Sequence, residues 1–238
     1  MEAKNLKKSY QKKNVVDDIS IDVKKGEIVG LLGPNGAGKT TIFSLILGLI
    51  PQDSGQIFLD GEDITGFPMY IRARKGLCLL PQEPSSFRKL TVEDNILSIM
   101  ETIRRVSMRG NGDLVRSLEE FGLKKLAKAK AYTLSGGERR KLEIARALIT
   151  KPQFILLDEP FTGIDPLTIL DLQAIILSLK DRGIGVLVTD HSVRETLKIT
   201  DRAYIIDKGR ILKAGTPKEL VISEEVRKSY LGEKFDLR

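Results

Sequence analysis

The stretch Gly33-Pro34-Asn35-Gly36-Ala37-Gly38-Lys39-Thr40 decides the fold of this 238-residue chain. It satisfies the pattern G-x-x-x-x-G-K-[S/T], in which glycines let the backbone curl so that successive N–H groups point at phosphate oxygens. The apolar run Ile28–Leu32 before it is typical of a strand buried on both faces. A helix should follow from Lys39 and end at Pro51, since four apolar residues recur at helical spacing: Ile42, Leu45, Ile46 and Leu49. Strand, loop and helix in this order predict a phosphate-binding loop.

The residue types in this loop suit ATP and Mg²⁺. Lys39 would neutralise the β and γ phosphates, and the Thr40 hydroxyl would ligate Mg²⁺. The helix N-terminus adds partial positive charge. The alternative, a glycine-rich turn that matches the pattern by accident, is disfavoured because both flanks are in register. We therefore predict an ATP-binding set made of Gly33, Pro34, Asn35, Gly36, Ala37, Gly38, Lys39, Thr40 and Thr41.

Two carboxylates follow a second buried-strand candidate. Asp158 and Glu159 come directly after the apolar run Phe154–Leu157, so the strand should carry both to the carboxyl edge of a sheet, where α/β proteins bind ligands. Asp158 suits the Mg²⁺ shell, because a hard cation prefers carboxylate and water. Glu159 can accept a proton from an attacking water as a general base. A strand-terminal acid pair without function is the alternative reading.

Two further polar residues are expected at the same edge. His191 is the single histidine of the chain and follows Val186–Thr189, another apolar run. Gln82 likewise follows Leu77–Leu80, and could hydrogen-bond Mg²⁺ or the water. A lone histidine is more often a surface or core residue, but these positions together predict a catalytic group made of Lys39, Gln82, Glu159 and His191.

Alternation of strands and helices predicts an α/β fold with a mainly parallel sheet. A further buried strand is expected at Ala203–Ile206, and Asp165 with Pro166 should open a helix whose apolar stripe is Ile169, Leu172, Ile176 and Leu179. We expect one nucleotide-binding domain over 1–238. Its α/β core would comprise 1–90 and 150–238, with an antiparallel β subdomain from the first forty residues and Gln56–Asp60. A helical subdomain over 91–149, interrupted at Gly110-Asn111-Gly112, would be inserted, and 224–238 would form a tail.

Composition indicates an ordinary folded protein. Hydrophobic residues make up 41% and charged residues 30%, and no apolar stretch is long enough to cross a bilayer. No secretory signal is visible, and the single Cys78 favours a reducing compartment. The net charge of +7 fits nucleic acid, anionic lipid or nucleotide phosphates. Because the cations are spread along the chain, we interpret them as solvated faces and expect no nucleic-acid partner.

A third segment carries a family resemblance. Leu134-Ser135-Gly136-Gly137-Glu138 resembles the signature of ATP-binding-cassette (ABC) ATPases, upstream of the Asp158-Glu159 pair as in that family. Ser135 and the glycines open a helix whose N–H groups can bind a phosphate. The resemblance implies a P-loop NTPase core of the ABC type and a homodimer. In that dimer, Ser135, Gly136, Gly137 and Glu138 would close on the γ-phosphate held by the partner subunit.

Two further family positions are matched. Gly163-Ile164-Asp165 is similar to the loop that crosses the dimer interface, and Tyr10 to the aromatic that stacks on adenine. For Tyr10, a strand tyrosine without a ligand is a serious alternative.

More narrowly, the chain resembles the ATPases of lipopolysaccharide-export transporters. The matching segments are Leu80–Leu90, Asp158–Pro166, Thr189–Thr196 and Tyr230–Phe235. Thr162 departs from the alanine expected in the interface loop. This resemblance implies two LptF/LptG-like integral-membrane subunits that contact the region of Phe87 and Arg88. It also implies lipopolysaccharide as an indirect cargo, and a peripheral place on the cytoplasmic face of the inner membrane.

Other members of the superfamily remain alternatives. ATPases of branched-chain amino acid importers share much of the pattern. A soluble DNA-maintenance ATPase would also suit the positive charge, but such proteins usually carry a long coiled coil, and Gln82–Leu134 contains no sustained heptads.

Overall fold

The main sheet has six strands in the order β10-β9-β3-β8-β7-β6. The computed structural model describes residues 1–11, 13–104, 112–233 and 235–237. Neighbours from β9 to β6 pair in parallel, and β10 pairs antiparallel at the edge, which confirms the mainly parallel sheet. The strands are β3 (Ile28–Leu32), β6 (Leu77–Leu80), β7 (Phe154–Asp158), β8 (Gly185–Thr189), β9 (Arg202–Asp207) and β10 (Arg210–Gly215).

The predicted antiparallel sheet is also present, in the order β2-β1-β4-β5. Its strands are β1 (Glu2–Tyr10), β2 (Lys13–Asp22), β4 (Ser54–Leu59) and β5 (Glu62–Asp63). Ile28–Leu32, although within the first forty residues, belongs to the main sheet. A shared apolar core joins the two sheets around the helix α1 (Lys39–Leu47), with members such as Leu6, Ile19, Leu31, Phe43 and Ile57.

The first helix is shorter than its apolar spacing predicts. α1 ends at Leu47 because Gly48 adopts a left-handed conformation (φ 72°), and its N–H donates back to the carbonyls of Ser44 and Leu45. Leu49 therefore lies beyond the helix and is 50% exposed, so the prediction that the helix includes Leu49 was wrong.

A buried arginine occupies the carboxyl end of α1. The Arg72 guanidinium, 2% exposed, donates to the carbonyls of Leu45 (2.8 Å) and Ile46 (2.6 Å). It also donates to the carbonyls of Phe67 and Thr65, each at 2.8 Å. Arg72 therefore joins the helix that follows the phosphate loop to the connection between β5 (Glu62–Asp63) and α2 (Met69–Arg74).

Helices dominate the segment between β6 and β7. They are α3 (Val92–Arg104), α4 (Gly112–Glu120) and α5 (Gly136–Ile149), with short 3₁₀ turns at Lys124–Leu126 and Ala131–Thr133. Val92, Ile96 and Leu142 share a core with Ile155 and Leu157 of β7. Of the expected interruption, Gly110 and Asn111 lie outside the described residues. The division of the chain into subdomains stays a prediction.

The remaining helices cover the main sheet and carry the tail. They are α6 (Pro166–Asp181), α7 (Val193–Ile199), α8 (Pro217–Ile222) and α9 (Glu224–Val226), followed by a wide helical turn at Arg227–Leu231. Tyr230, Leu231 and Phe235 pack against a core that includes Leu32 and Leu197. Lys234 and Arg238 of the tail lie outside the described residues. In the part of the chain that the structure describes, no helix combines the length and the apolarity needed to cross a membrane.

Candidate functional site

The loop between β3 and α1 forms a backbone cradle. Gly36 and Gly38 have φ of 77° and 106°, a region that favours glycine. A Cβ at Gly38 would also meet the carbonyl oxygen of Val15 at 2.6 Å. Gly38 precedes the first helical residue and has no side chain to cap it, so the first N–H groups of α1, including those of Thr40 and Thr41, suit an anion.

Lys39 lies across this cradle. Its ammonium donates to the carbonyls of Gly33 (2.7 Å) and Pro34 (3.0 Å). Partial burial lowers the pKa of Lys39, and the nearby charges of Glu159 and Asp158 oppose that effect. The predicted phosphate lysine and the predicted acid pair are therefore neighbours in space, although more than a hundred residues separate them.

Asp158 is the last residue of β7 and is partly buried. Burial raises its pKa, and the charge of Glu159 raises it further, whereas Arg140 and Lys39 lower it. No group of three or more acidic, histidine or cysteine side chains that could hold a metal occurs within the described residues. Thr40 and Asp158 supply a hydroxyl and a carboxylate, and this sparse set fits Mg²⁺, which usually takes one or two carboxylates and completes its shell with phosphate and water.

Three donors surround the carboxylate of Glu159. Gln82 Nε2 lies 2.8 Å from Oε2, and the Thr162 hydroxyl lies 3.1 Å from the same oxygen. His191 Nε2 lies 2.8 Å from Oε1. Glu159 itself has a left-handed backbone (φ 49°), which is uncommon for a residue with a side chain. The structure thus brings Gln82, Glu159 and His191 into one cluster, as the sequence predicts, and adds Thr162.

The segment Ser135–Glu138 begins a helix through a reciprocal cap. The Ser135 hydroxyl accepts from the Glu138 N–H (3.3 Å), and the Glu138 carboxylate accepts from the Ser135 N–H (2.8 Å). A Cβ on Gly137 would lie 2.0 Å from Cγ2 of Thr168, and one on Gly136 would lie 3.2 Å from Cδ1 of Ile164. The two glycines therefore let the start of α5 pack closely against Ile164 and against Thr168 in the first turn of α6, the helix that Asp165 caps.

Comparison with known proteins decides the family. The profile of the ABC transporter family matches residues 16–162. The lipopolysaccharide export system ATP-binding protein LptB of Escherichia coli K12 is 50% identical, over 99% of this chain and 98% of the relative. The chain belongs to the ABC transporter family.

Other relatives agree with this membership. LptB of Acidithiobacillus ferridurans is 52% identical over 100% of this chain and 98% of the relative. A probable ABC transporter ATP-binding protein of Azorhizobium caulinodans is 55% identical over 98% of this chain and 83% of the relative. A crystal structure of the ATP-binding cassette MJ1267 in its ADP conformation has a TM-score of 0.86, with 29% identity and 98% of both chains covered. This cassette is an ATPase that uses Mg²⁺.

The signature helix of the cassette also carries buried charges that sequence reasoning missed. Arg140, 5% exposed, donates to the carbonyls of Pro81 (2.7 Å) and Asp158 (3.1 Å). Glu143, 3% exposed, accepts from the N–H groups of Ser85 (2.7 Å) and Ser86 (3.3 Å). The sequence could have indicated these buried charges, because Arg140 and Glu143 are three residues apart and therefore fall on the same side of α5, the side that faces the core.

Two predicted contact regions of the cassette lie at the surface. Tyr10 ends β1, pairs with Lys13, and is 46% exposed. Phe87 is 49% exposed, and the Arg146 guanidinium lies 4.7 Å from the centre of its ring. Arg88 beside it is exposed as well. These side chains are accessible, as partner-contacting residues must be.

Proposed function

We propose that this cassette is the motor of a lipopolysaccharide-export transporter. The observation that carries the proposal is identity of 50–52% along nearly the whole chain to relatives named LptB of lipopolysaccharide export systems. The motor would act as a homodimer at the cytoplasmic face of the inner membrane, beneath two LptF/LptG-like membrane subunits. Extraction of acyl chains from a bilayer costs about 0.8 kcal/mol per CH₂ group, which suits an ATP-driven step.

In hydrolysis, Glu159 would accept the proton of the attacking water. His191 and Gln82 lie 2.8 Å from its two carboxylate oxygens and would hold the carboxylate in place. Lys39 would neutralise phosphate charge, while Thr40, Gln82 and Asp158 would hold Mg²⁺. Mg²⁺, when bound, screens the charge of the phosphates. Tyr10 would stack on the adenine.

The ATP site would be composite. Among the described residues, no hydrogen bond or ion pair joins Ser135–Glu138 to the cradle Gly33–Thr41 of the same chain. The start of α5 would instead bind the γ-phosphate held by a second copy, through the helix N-terminus and the signature side chains. Two ATP molecules would then lie between the two subunits.

The region of Phe87 and Arg88 would receive the membrane subunits. An exposed aromatic residue beside a positive charge is typical of interface anchors. Phe87→Ala should weaken co-purification of the membrane subunits without lowering the melting temperature of the isolated cassette. Tyr70→Ala is a matched control, because Tyr70 is 61% exposed and also lies against an arginine, Arg74. Loss of thermal stability with intact assembly would contradict the contact.

Depletion in the source cell tests the cargo. Newly made lipopolysaccharide should accumulate in the inner membrane, and wild-type protein should restore its delivery whereas Glu159→Gln should not. Normal delivery after depletion, or a source cell without an outer membrane, would refute the proposal. Loss of branched-chain amino acid uptake instead would identify the importer.

A further inference from the structure

Asp190 lies between β8 and His191, and the mechanism above does not use it. Its side chain is enclosed, with 1% of the residue exposed. One carboxylate oxygen, Oδ2, accepts from the Phe161 N–H at 2.7 Å, and the other, Oδ1, accepts from the Ser192 N–H at 2.7 Å. Burial raises the pKa of this carboxyl group, whereas the two N–H groups lower it. The two oxygens therefore accept hydrogen bonds from the backbones of two different loops, one oxygen for each loop.

Those two loops carry Glu159 and His191, whose side chains lie 2.8 Å apart. Phe161 follows Glu159 by two residues, and Ser192 follows His191 directly. The Glu159 N–H also donates to the Thr189 carbonyl at 2.8 Å, so the loop after β7 is bound to the end of β8 at a second point. A left-handed residue such as Glu159 is costly and persists where its surroundings fix it. Asp190, directly after the neighbouring strand β8, helps to hold this loop in place.

We propose that Asp190 is a positioning residue for ATP hydrolysis. Its carboxylate joins the loops after β7 and β8 and sets the separation between Glu159 and His191. This inference rests on the general-base role proposed for Glu159. It assigns Asp190 no contact with ATP, Mg²⁺ or the reacting atoms. The effect of Asp190 on turnover therefore passes through the position of the other two side chains.

The Asn variant tests the carboxylate with little change in size. An asparagine retains one oxygen acceptor, so either the Phe161 N–H or the Ser192 N–H would face an NH₂ group instead. A shift of about 1 Å in a reacting geometry can cost about 10²-fold in rate. For Asp190→Asn we expect kcat to fall about 10- to 100-fold while KM for ATP stays within about 2-fold.

Asp201→Asn is the matched control. The Asp201 carboxylate also accepts a backbone N–H, that of Ile28 at 2.9 Å, but Asp201 is exposed, pairs with Lys180 and lies at the opposite edge of the main sheet. Melting temperature, KM and kcat should be measured for both variants, together with ATP-induced dimer formation by light scattering. A structural role alone would lower the melting temperature of Asp190→Asn and leave its kcat close to that of Asp201→Asn. The inference requires a kcat loss specific to Asp190→Asn, with ATP-induced dimer formation retained.

Two further variants make the result decisive. If Asp190→Asn does not fold, Asp190→Ser retains one oxygen acceptor in a smaller side chain, and the same kcat loss is expected. Unchanged kcat in whichever variant folds would overturn the inference. Glu159→Gln run in parallel separates the two claims: if it retains turnover, the role of Glu159 itself fails. If Glu159→Gln is inactive while Asp190→Asn turns over normally, only the role of Asp190 fails.

Discussion

Replacement of Glu159 by glutamine should remove chemistry and leave the fold intact. The side chain is 15% exposed and its three neighbours can all adapt to an amide. The Gln82 amide can flip to present its oxygen, the Thr162 hydroxyl can rotate to accept, and His191 can change tautomer. We therefore expect the melting temperature to change little. The amide cannot take a proton, so the loss is that of a general base, about 10²–10⁴-fold in kcat, or roughly 3–5 kcal/mol in the barrier.

Three measurements on one preparation check this expectation. Phosphate release gives kcat, a fluorescent ATP analogue gives nucleotide affinity, and light scattering with ATP reports the dimer. Affinity should stay within about 3-fold of wild type, and ATP should hold the variant as a dimer, because hydrolysis no longer opens it. Turnover close to that of wild type would show that another group accepts the proton.

The remaining predictions concern the signature segment and the single thiol. Ser135→Arg should retain the ATP affinity of the isolated subunit but lose ATP-induced dimerisation and turnover, because the bulky cation would block closure on a partner; a normal dimer by light scattering would contradict the composite site. Gly137→Ala should cost about 1–3 kcal/mol of unfolding free energy, since the new Cβ would overlap Thr168, whereas Gly66→Ala, where nothing lies within 4 Å, should cost less in the same urea titration. Burial raises the pKa of Cys78 to about 11, so the folded chain keeps a proton that the unfolded chain loses above about pH 9. Stability should accordingly fall by about 2 kcal/mol between about pH 8 and about pH 10.5, and Cys78→Ala should lack that component of the pH dependence.

Much of the fold follows from patterns that act locally. Apolar runs with no polar residue, such as Ile28–Leu32 and Phe154–Leu157, can be satisfied only between two layers, so they predict central parallel strands. The end of α1 was not predictable from apolar spacing alone. A left-handed glycine at Gly48 stops the helix two residues before the apolar pattern ends. Apolar spacing shows which residues prefer burial, whereas backbone conformation decides where the helix ends.

In the cluster around Glu159, the sequence predicts those residues that follow the end of a strand. Gln82, Glu159 and His191 each follow an apolar strand, and parallel strands end at one edge. Thr162 was visible in the sequence only as a departure from the family pattern, and its bond to Glu159 depends on how the loop turns. The position of Asp190, between a strand and His191, could have suggested a role for it at the site. Nothing in its residue type, however, indicates that its two oxygens join different loops.

The positive charge of Arg72 offsets the negative end of the dipole of α1. Aligned peptide dipoles leave roughly half a positive charge at the phosphate-binding end of a helix and half a negative charge at the other. At that second end lies the buried guanidinium of Arg72, which donates to two carbonyls of α1 and to two carbonyls of the connection between β5 and α2. A lysine carries the same charge but offers only three donors from a single point. The planar fork of arginine is therefore the feature that the far end of this helix requires, and an exchange of one cation for the other would not be conservative here.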